Sequence, residues 1–143
     1  MKAIASLGGI GFLRPAPGTW GSLAVLPLAL LPAWVSLLAA LVFTALGSWA
    51  LPRLPEAKAD PGWIVVDEAA GQSLALSVAL ALGMGWLGVA LAFALFRIFD
   101  ITKPGPVGWA DRQEGAFGVM ADDVIAGAMA GLVLVLLAFM GLG

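Results

Sequence analysis

The chain has 143 residues, 62% of them hydrophobic and only 11% charged, with a formal net charge of -2 and a mean hydropathy of +1.03. Soluble domains carry roughly 25% charged residues, so a single domain of this length and composition reads as a membrane protein. It contains no cysteine and no histidine, which excludes disulfides, thiolate nucleophiles and phosphohistidine chemistry and leaves carboxylates, Arg, Lys, hydroxyls, backbone groups and a bound ion.

Residues 1–13 are apolar apart from Lys2, and Arg14-Pro15-Ala16-Pro17-Gly18 interrupts them, giving a short interfacial segment. Pro17-Gly18-Thr19-Trp20-Gly21-Ser22 follows as a turn. Its structural reading is a helix start capped by Thr19 or Ser22; its functional reading is a loop whose backbone N–H groups face an anion. Residues 20–51 carry no charge, and Pro32 divides them into 20–31 and 33–51. The second piece can cross a hydrocarbon core of ~30 Å, whereas the first would rise only ~18 Å. Together they form either a hairpin with a short or re-entrant first arm or one long kinked crossing, and the hairpin is the more economical.

Residues 53–61 are polar, and with Pro52, Pro55 and Pro61 they read as a loop outside the membrane. The apolar run 63–82 has Asp67 and Glu68 near its start, then Gly71 and Gln72. Gly83-Met84-Gly85 is a charge-free turn, and residues 86–101 return, bringing Arg97 and Asp100 level with Asp67 and Glu68. Arg97, Asp100 and Lys103 recur every third residue, so a helix continuing through them presents them on one side. Pro104 marks the helix end. Residues 104–118, with Trp109, Asp111, Arg112 and Glu114, form a loop or short surface helix. The last apolar run, 119–142, has Asp122 and Asp123 in its first turn, where the helix dipole favours negative charge. Its Gly127 and Gly131 permit close contact with a neighbouring helix, within the chain rather than between chains.

These elements predict an all-α, polytopic membrane bundle of about five embedded helices, forming one domain over 1–143 with an interfacial segment and loop at 1–19 and the bundle at 20–142. With the hairpin, all seven Lys and Arg residues lie on one side, which the positive-inside rule places in the cytosol. Trp20, Trp34, Trp49, Trp63 and Trp86 fall at segment ends, as interfacial tryptophans do. Asp67, Glu68, Asp100, Asp122 and Asp123 then gather at the cytosolic ends of three apolar helices. Ion pairs with Arg97, Lys103 and Arg112 would be a purely structural account. Five acids around three bases nevertheless leave surplus negative charge, and an all-oxygen ligand set suits Mg²⁺, with Mn²⁺ or Ca²⁺ as substitutes. The bases are then free to hold a phosphate from the lipid headgroup plane.

Pro17-Gly18-Thr19-Trp20-Gly21-Ser22, Ile64-Val65-Val66-Asp67-Glu68 with Gly71, Phe96-Arg97 with Asp100, Lys103-Pro104 and Pro106, Asp111-Arg112, and Gly118-Val119-Met120 with Asp122-Asp123 and Ala126-Gly127 resemble the phosphatidylglycerophosphatase A family. The likeness runs from Gly11 to Gly131 in the family's order. It implies a bacterial inner-membrane, multi-pass, Mg²⁺-dependent enzyme that hydrolyses phosphatidylglycerophosphate to phosphatidylglycerol and phosphate, and it supports a Thr19 loop close to the acidic helices. Two positions depart from the pattern: Glu114-Gly115-Ala116 stands where a His-Gly-Gly-like stretch is frequent, and Gly105 replaces an aromatic. Neither touches the carboxylates.

The expected chemistry is metal-assisted hydrolysis of a phosphomonoester. Asp67, Glu68, Asp100, Asp122 and Asp123 hold one or two Mg²⁺ ions; Asp67, Asp100 and Asp123 are the catalytic acids; Thr19, Arg97, Lys103 and Arg112 bind the substrate phosphate. Water or a carboxylate, Asp67 or Asp100, serves as nucleophile. Partners are the lipid substrate and membrane lipids, with neither nucleic acid nor a protein partner implied. A CDP-alcohol phosphotransferase is an alternative, but its Asp-Gly-x-x-Ala-Arg spacing is absent. A small cation or proton transporter is another, but transporter sites lie near the bilayer midplane, whereas these acids cluster near helix ends.

Overall fold

A computed structural model describes residues 1–142, and among these every regular element is helical. The α-helices are α1 (Lys2–Ala5), α2 (Pro17–Val25), α3 (Ala33–Ala50), α4 (Val66–Ala81), α5 (Gly85–Thr102), α6 (Pro106–Asp111) and α7 (Gly115–Phe139). Three stretches are long and apolar enough to cross a membrane: Ala33–Arg53, which extends α3, Gly85–Thr102 and Gly115–Phe139.

The centre of the bundle is α4, in which eleven of sixteen residues are buried. Small residues let its neighbours approach closely. Gly71 meets the α7 backbone at Asp123, Gly127 lies against Gly71, and Gly131 lies against Val78, so α4 and α7 run in the same direction. The expected intramolecular use of Gly127 and Gly131 is therefore what the chain adopts. Gly88 of α5 approaches Ala79 while Phe96 reaches Gly71, so α5 runs antiparallel to α4. Gly47, near the end of α3, packs on Val66 and Met120. Because α2 begins beside Glu68 and α3 ends beside Val66, residues 17–50 form the hairpin rather than a single kinked crossing. Its first arm is not one helix: α2 gives way to a 3₁₀ turn at Leu26–Leu30 before the extended Leu31 and Pro32.

Helix boundaries follow local chemistry, with three departures from the sequence expectation. Pro17 starts α2 from the first helical position and no side chain caps it; the Ser22 hydroxyl instead donates to the Gly18 carbonyl at 2.9 Å, the back-bonding habit of a mid-helix serine. α5 stops at Thr102, and Lys103 turns left-handed with φ 51°, so the helix does not run through all three charges. Finally, α7 starts at Gly115 rather than 119, which moves Asp122 and Asp123 out of the first turn, leaving that turn without acids. Their stabilisation must come from side-chain neighbours, since the dipole acts within the first turn only.

The N-terminal segment straps the α3–α4 connection. Val65 donates its backbone N–H to the Ala5 carbonyl at 2.9 Å, Phe12 stacks on Trp63 with ring centroids 5.7 Å apart, and Gly11 abuts the Trp63 backbone. Ala5, Leu51, Leu54, Ile64, Val66, Val119 and Met120 make one apolar cluster at this end; Ala75, Ala79, Ala92, Phe96, Ala126 and Leu134 belong to a second beside it. The starts of α2, α4 and α7 and the ends of α3 and α5 consequently meet at a single end of the bundle, and all the Lys and Arg residues lie on segments at that end.

Candidate active site

Asp67 and Glu68 occupy the first turn of α4, Asp100 the last turn of α5, and Asp122 and Asp123 the buried face of α7. Packing alone brings them together, because the glycine contact of α4 with α7 fixes Gly71 against Asp123. Two groups of carboxylates each have ligand oxygens within 4.8 Å of one another: Asp67 with Asp122 and Asp123, and Glu68 with Asp100 and Asp123. Asp123 belongs to both and is only 2% exposed.

Three of the predicted bases have clear positions. The Arg97 guanidinium donates to Asp100 Oδ2 at 2.5 Å. Lys103 Nζ donates to Asp122 Oδ2 at 2.9 Å and lies 3.5 Å from Asp111 Oδ1 and 3.8 Å from Asp100 Oδ1. Its left-handed backbone at the end of α5 swings the amine out of the α5 line toward Asp122 of α7. Partial burial disfavours its charge, but the hydrogen bond and charge of Asp122, with Asp100 and Asp123 nearby, outweigh that and raise its pKa above the ordinary lysine value. Lys103 is thus cationic at neutral pH. Arg112 stands apart: it lines a neighbouring surface pocket with Asp111 and Glu114 and has no ion-pair partner among the described residues. Thr19 sits half-buried in the first turn of α2, next to Gly18. A Cβ on Gly18 would come within 2.7 Å of Glu68 Oε1 and 3.2 Å of an Arg97 nitrogen, so the Thr19 loop does cover the acidic helices, as expected.

The ion pairs do not satisfy the cluster. Asp67 Oδ1, Glu68 Oε2, Asp122 Oδ1 and Asp123 Oδ2 are buried with no hydrogen-bond partner among the described residues. Buried carboxylate oxygens almost always have a partner, so orphans on four neighbouring acids fit a cation bound among hard oxygen donors. These buried acidic groups can hold a metal ion. Gln72, one turn beyond Glu68 on α4, is also fully buried with both amide atoms unpartnered among the described residues. Sequence reading gave it no role, because a single amide in an apolar helix does not reveal which face it occupies. It also gave Asp111 no role, although the Asp111-Arg112 pair was in view.

The family profile described as Phosphatidylglycerophosphatase A matches residues 3–138. The chain belongs to the phosphatidylglycerophosphatase A family. The Haemophilus influenzae Phosphatidylglycerophosphatase A is 39% identical over 87% of this chain and 80% of its own length. The Escherichia coli protein of the same name is 35% identical over 85% of this chain and 73% of its own. A Bacteroides thetaiotaomicron protein provisionally named a phosphatidylinositol-3-phosphatase is 38% identical over 83% and 81%. No solved structure matches the chain. Membership of the phosphatidylglycerophosphatase A family makes this an enzyme of the phosphatase class.

Proposed function

We propose that the chain is a Mg²⁺-dependent phosphatase that converts phosphatidylglycerophosphate to phosphatidylglycerol and phosphate in phospholipid synthesis, at the cytosolic face of the bacterial inner membrane. The observation that carries this is the convergence of two carboxylate groups on Asp123 beside Arg97 and Lys103. Concentration of every Lys and Arg at the site end supports a cytosolic orientation. About five embedded segments follow if the two arms of the 17–50 hairpin and α4 sit in the membrane alongside α5 and α7.

Asp67, Glu68, Asp122 and Asp123 would hold the ion, with Asp100 a member of the second group. Mg²⁺, when bound, supplies Lewis-acid polarisation of a phosphoryl oxygen and an acidified water. Arg97 and Lys103 face the same space and neutralise the phosphate oxygens, where negative charge must be stabilised. Asp100 spends one oxygen on Arg97 and turns the other toward Lys103, so it holds both bases in place rather than attacking phosphorus. With water rather than Asp67 as nucleophile there is a single in-line displacement, so a chiral isotopically labelled thiophosphate substrate is expected to react with inversion at phosphorus; retention would make Asp67 the nucleophile. Thr19, next to Gly18, would donate one further hydrogen bond to the phosphate.

The decisive assay is phosphate release from phosphatidylglycerophosphate in mixed micelles. Chelation is expected to abolish turnover and added Mg²⁺ to restore it; full activity in chelator would remove the mechanism. Phosphatidylinositol 3-phosphate belongs in the same assay, and faster turnover of it would move the substrate assignment to inositol lipids. Arg97→Lys is expected to lower kcat by about 10²-fold and Arg97→Ala by up to about 10³-fold. A lysine point charge cannot grip Asp100 and the phosphate together as the guanidinium fork does, so equal activity of Arg97→Lys and wild type would count against this role.

A further inference from the structure

Joined to the acidic cluster through Asp111 and Lys103 is a second feature that the chemistry so far leaves unused, a pocket of about 500 Å³ with Lys58, Asp60, Asp111, Arg112, Glu114 and Gly118 among its lining residues. It comes from two separate parts of the chain, the α3–α4 connection and the α6–α7 corner. Lys58 and Arg112 are exposed and have no ion-pair partner among the described residues. Asp111, by contrast, is engaged by Lys103 at 3.5 Å, which itself holds Asp122. Lys103 therefore links an acid of the pocket lining to an acid of the cluster.

We propose that this pocket is the subsite for the phosphodiester and glycerol of the lipid headgroup, with Lys58 and Arg112 holding the diester phosphate. The inference rests on the lipid phosphatase reading above and adds what selects the substrate. Gly118 lines the pocket and Asp122 lies one turn further along α7, a rise of about 6 Å. A three-carbon bridge between two phosphates covers a comparable length. A headgroup entering from the charged end thus leaves its diester beside Lys58 and Arg112 while its terminal phosphate reaches Arg97, Lys103 and the carboxylates. With Asp111 facing Lys103 at 3.5 Å, the two cations Lys58 and Arg112, unpaired among the described residues, stand against Asp60 and Glu114 in the pocket lining. That balance suits a ligand with one anionic group and hydroxyl donors better than a second dianion. Arg112 accordingly belongs to recognition of the part of the substrate that does not react, not to the transferred phosphate.

The test compares phosphatidylglycerophosphate, which has both phosphates, with dodecyl phosphate, which has only the monoester, using full-length enzyme in micelles with Mg²⁺. In the Lys58→Ala/Arg112→Ala double variant, the ratio of kcat/KM for the two substrates is expected to fall at least tenfold, mainly through KM for the natural lipid. An unchanged ratio overturns the subsite. Soluble glycerophosphoglycerol, which carries the diester and no monoester, should compete with phosphatidylglycerophosphate in the wild-type enzyme. Its failure to inhibit overturns the subsite without reliance on a variant. Wild-type enzyme inert toward both phosphates would instead bring down the phosphatase reading itself.

Discussion

Asp123→Asn is expected to lower phosphate release by about three orders of magnitude, equivalent to about 4 kcal/mol of lost transition-state stabilisation. No other acid belongs to both carboxylate groups, so one substitution weakens every ligand set the cluster can offer. Asparagine preserves size and one carbonyl oxygen, and the effect can be separated from misfolding by the sign of the stability change. In chelator, four buried carboxylate oxygens have no hydrogen-bond partner among the described residues and the neighbouring acids repel one another. Removing one charge should therefore leave the metal-free protein as stable as wild type or more so. Binding stabilises only a protein that binds, so the rise in Tm on adding Mg²⁺ should shrink or vanish in the variant. Melting curves with and without Mg²⁺ read both effects. A variant that keeps wild-type activity, or one with the full Mg²⁺-induced rise in Tm, would displace Asp123 from the centre of the site.

Much of this site was legible in the sequence because charge is so rare in the chain. Asp67-Glu68, Arg97 with Asp100, and Asp122-Asp123 stand out against uncharged runs, and the alternation of apolar segments put them at one end before any packing was known. Less legible was what tertiary contacts decide. α7 begins at Gly115 although Gly115 and Gly118 disfavour helix; glycine is needed at 118 because the Gln113 and Ala110 carbonyls occupy the space a side chain there would fill. That earlier start turned Asp122 and Asp123 from dipole-stabilised residues of a first turn into buried side chains that need partners. The every-third-residue spacing grouped Arg97, Asp100 and Lys103, and they are grouped, but Lys103 joins through a left-handed turn rather than through helix. Charge alone groups Arg112 with Arg97 and Lys103, whereas the folded α6–α7 corner brings it into a pocket lined also by Lys58, fifty-four positions earlier in the chain.

Gly71→Ala is expected to damage both stability and activity, although it changes no charge. A Cβ there would overlap the Asp123 carbonyl oxygen and the Phe96 ring, and one on Gly127 would overlap the Gly71 carbonyl. Two of these contacts are with backbone, which cannot rotate away, so α4 and α7 must separate. Overpacking of this kind costs about 1–3 kcal/mol, a fall in Tm on the order of 5–10 °C. Activity should fall further than stability alone requires, because the same contact sets the distance from Asp67 to Asp123, and a displacement of about 1 Å at a reacting centre can reduce rate by about 10²-fold. Gly62→Ala is the control: its Cβ would meet nothing within 4 Å, and both Tm and turnover should match wild type. Since Gly71 and Gly127 face each other, an alanine at both should cost less than the sum of the single substitutions, as the helices separate only once. Additive losses would mean that the two glycines act at independent places, and that something other than this crossing holds the carboxylates together.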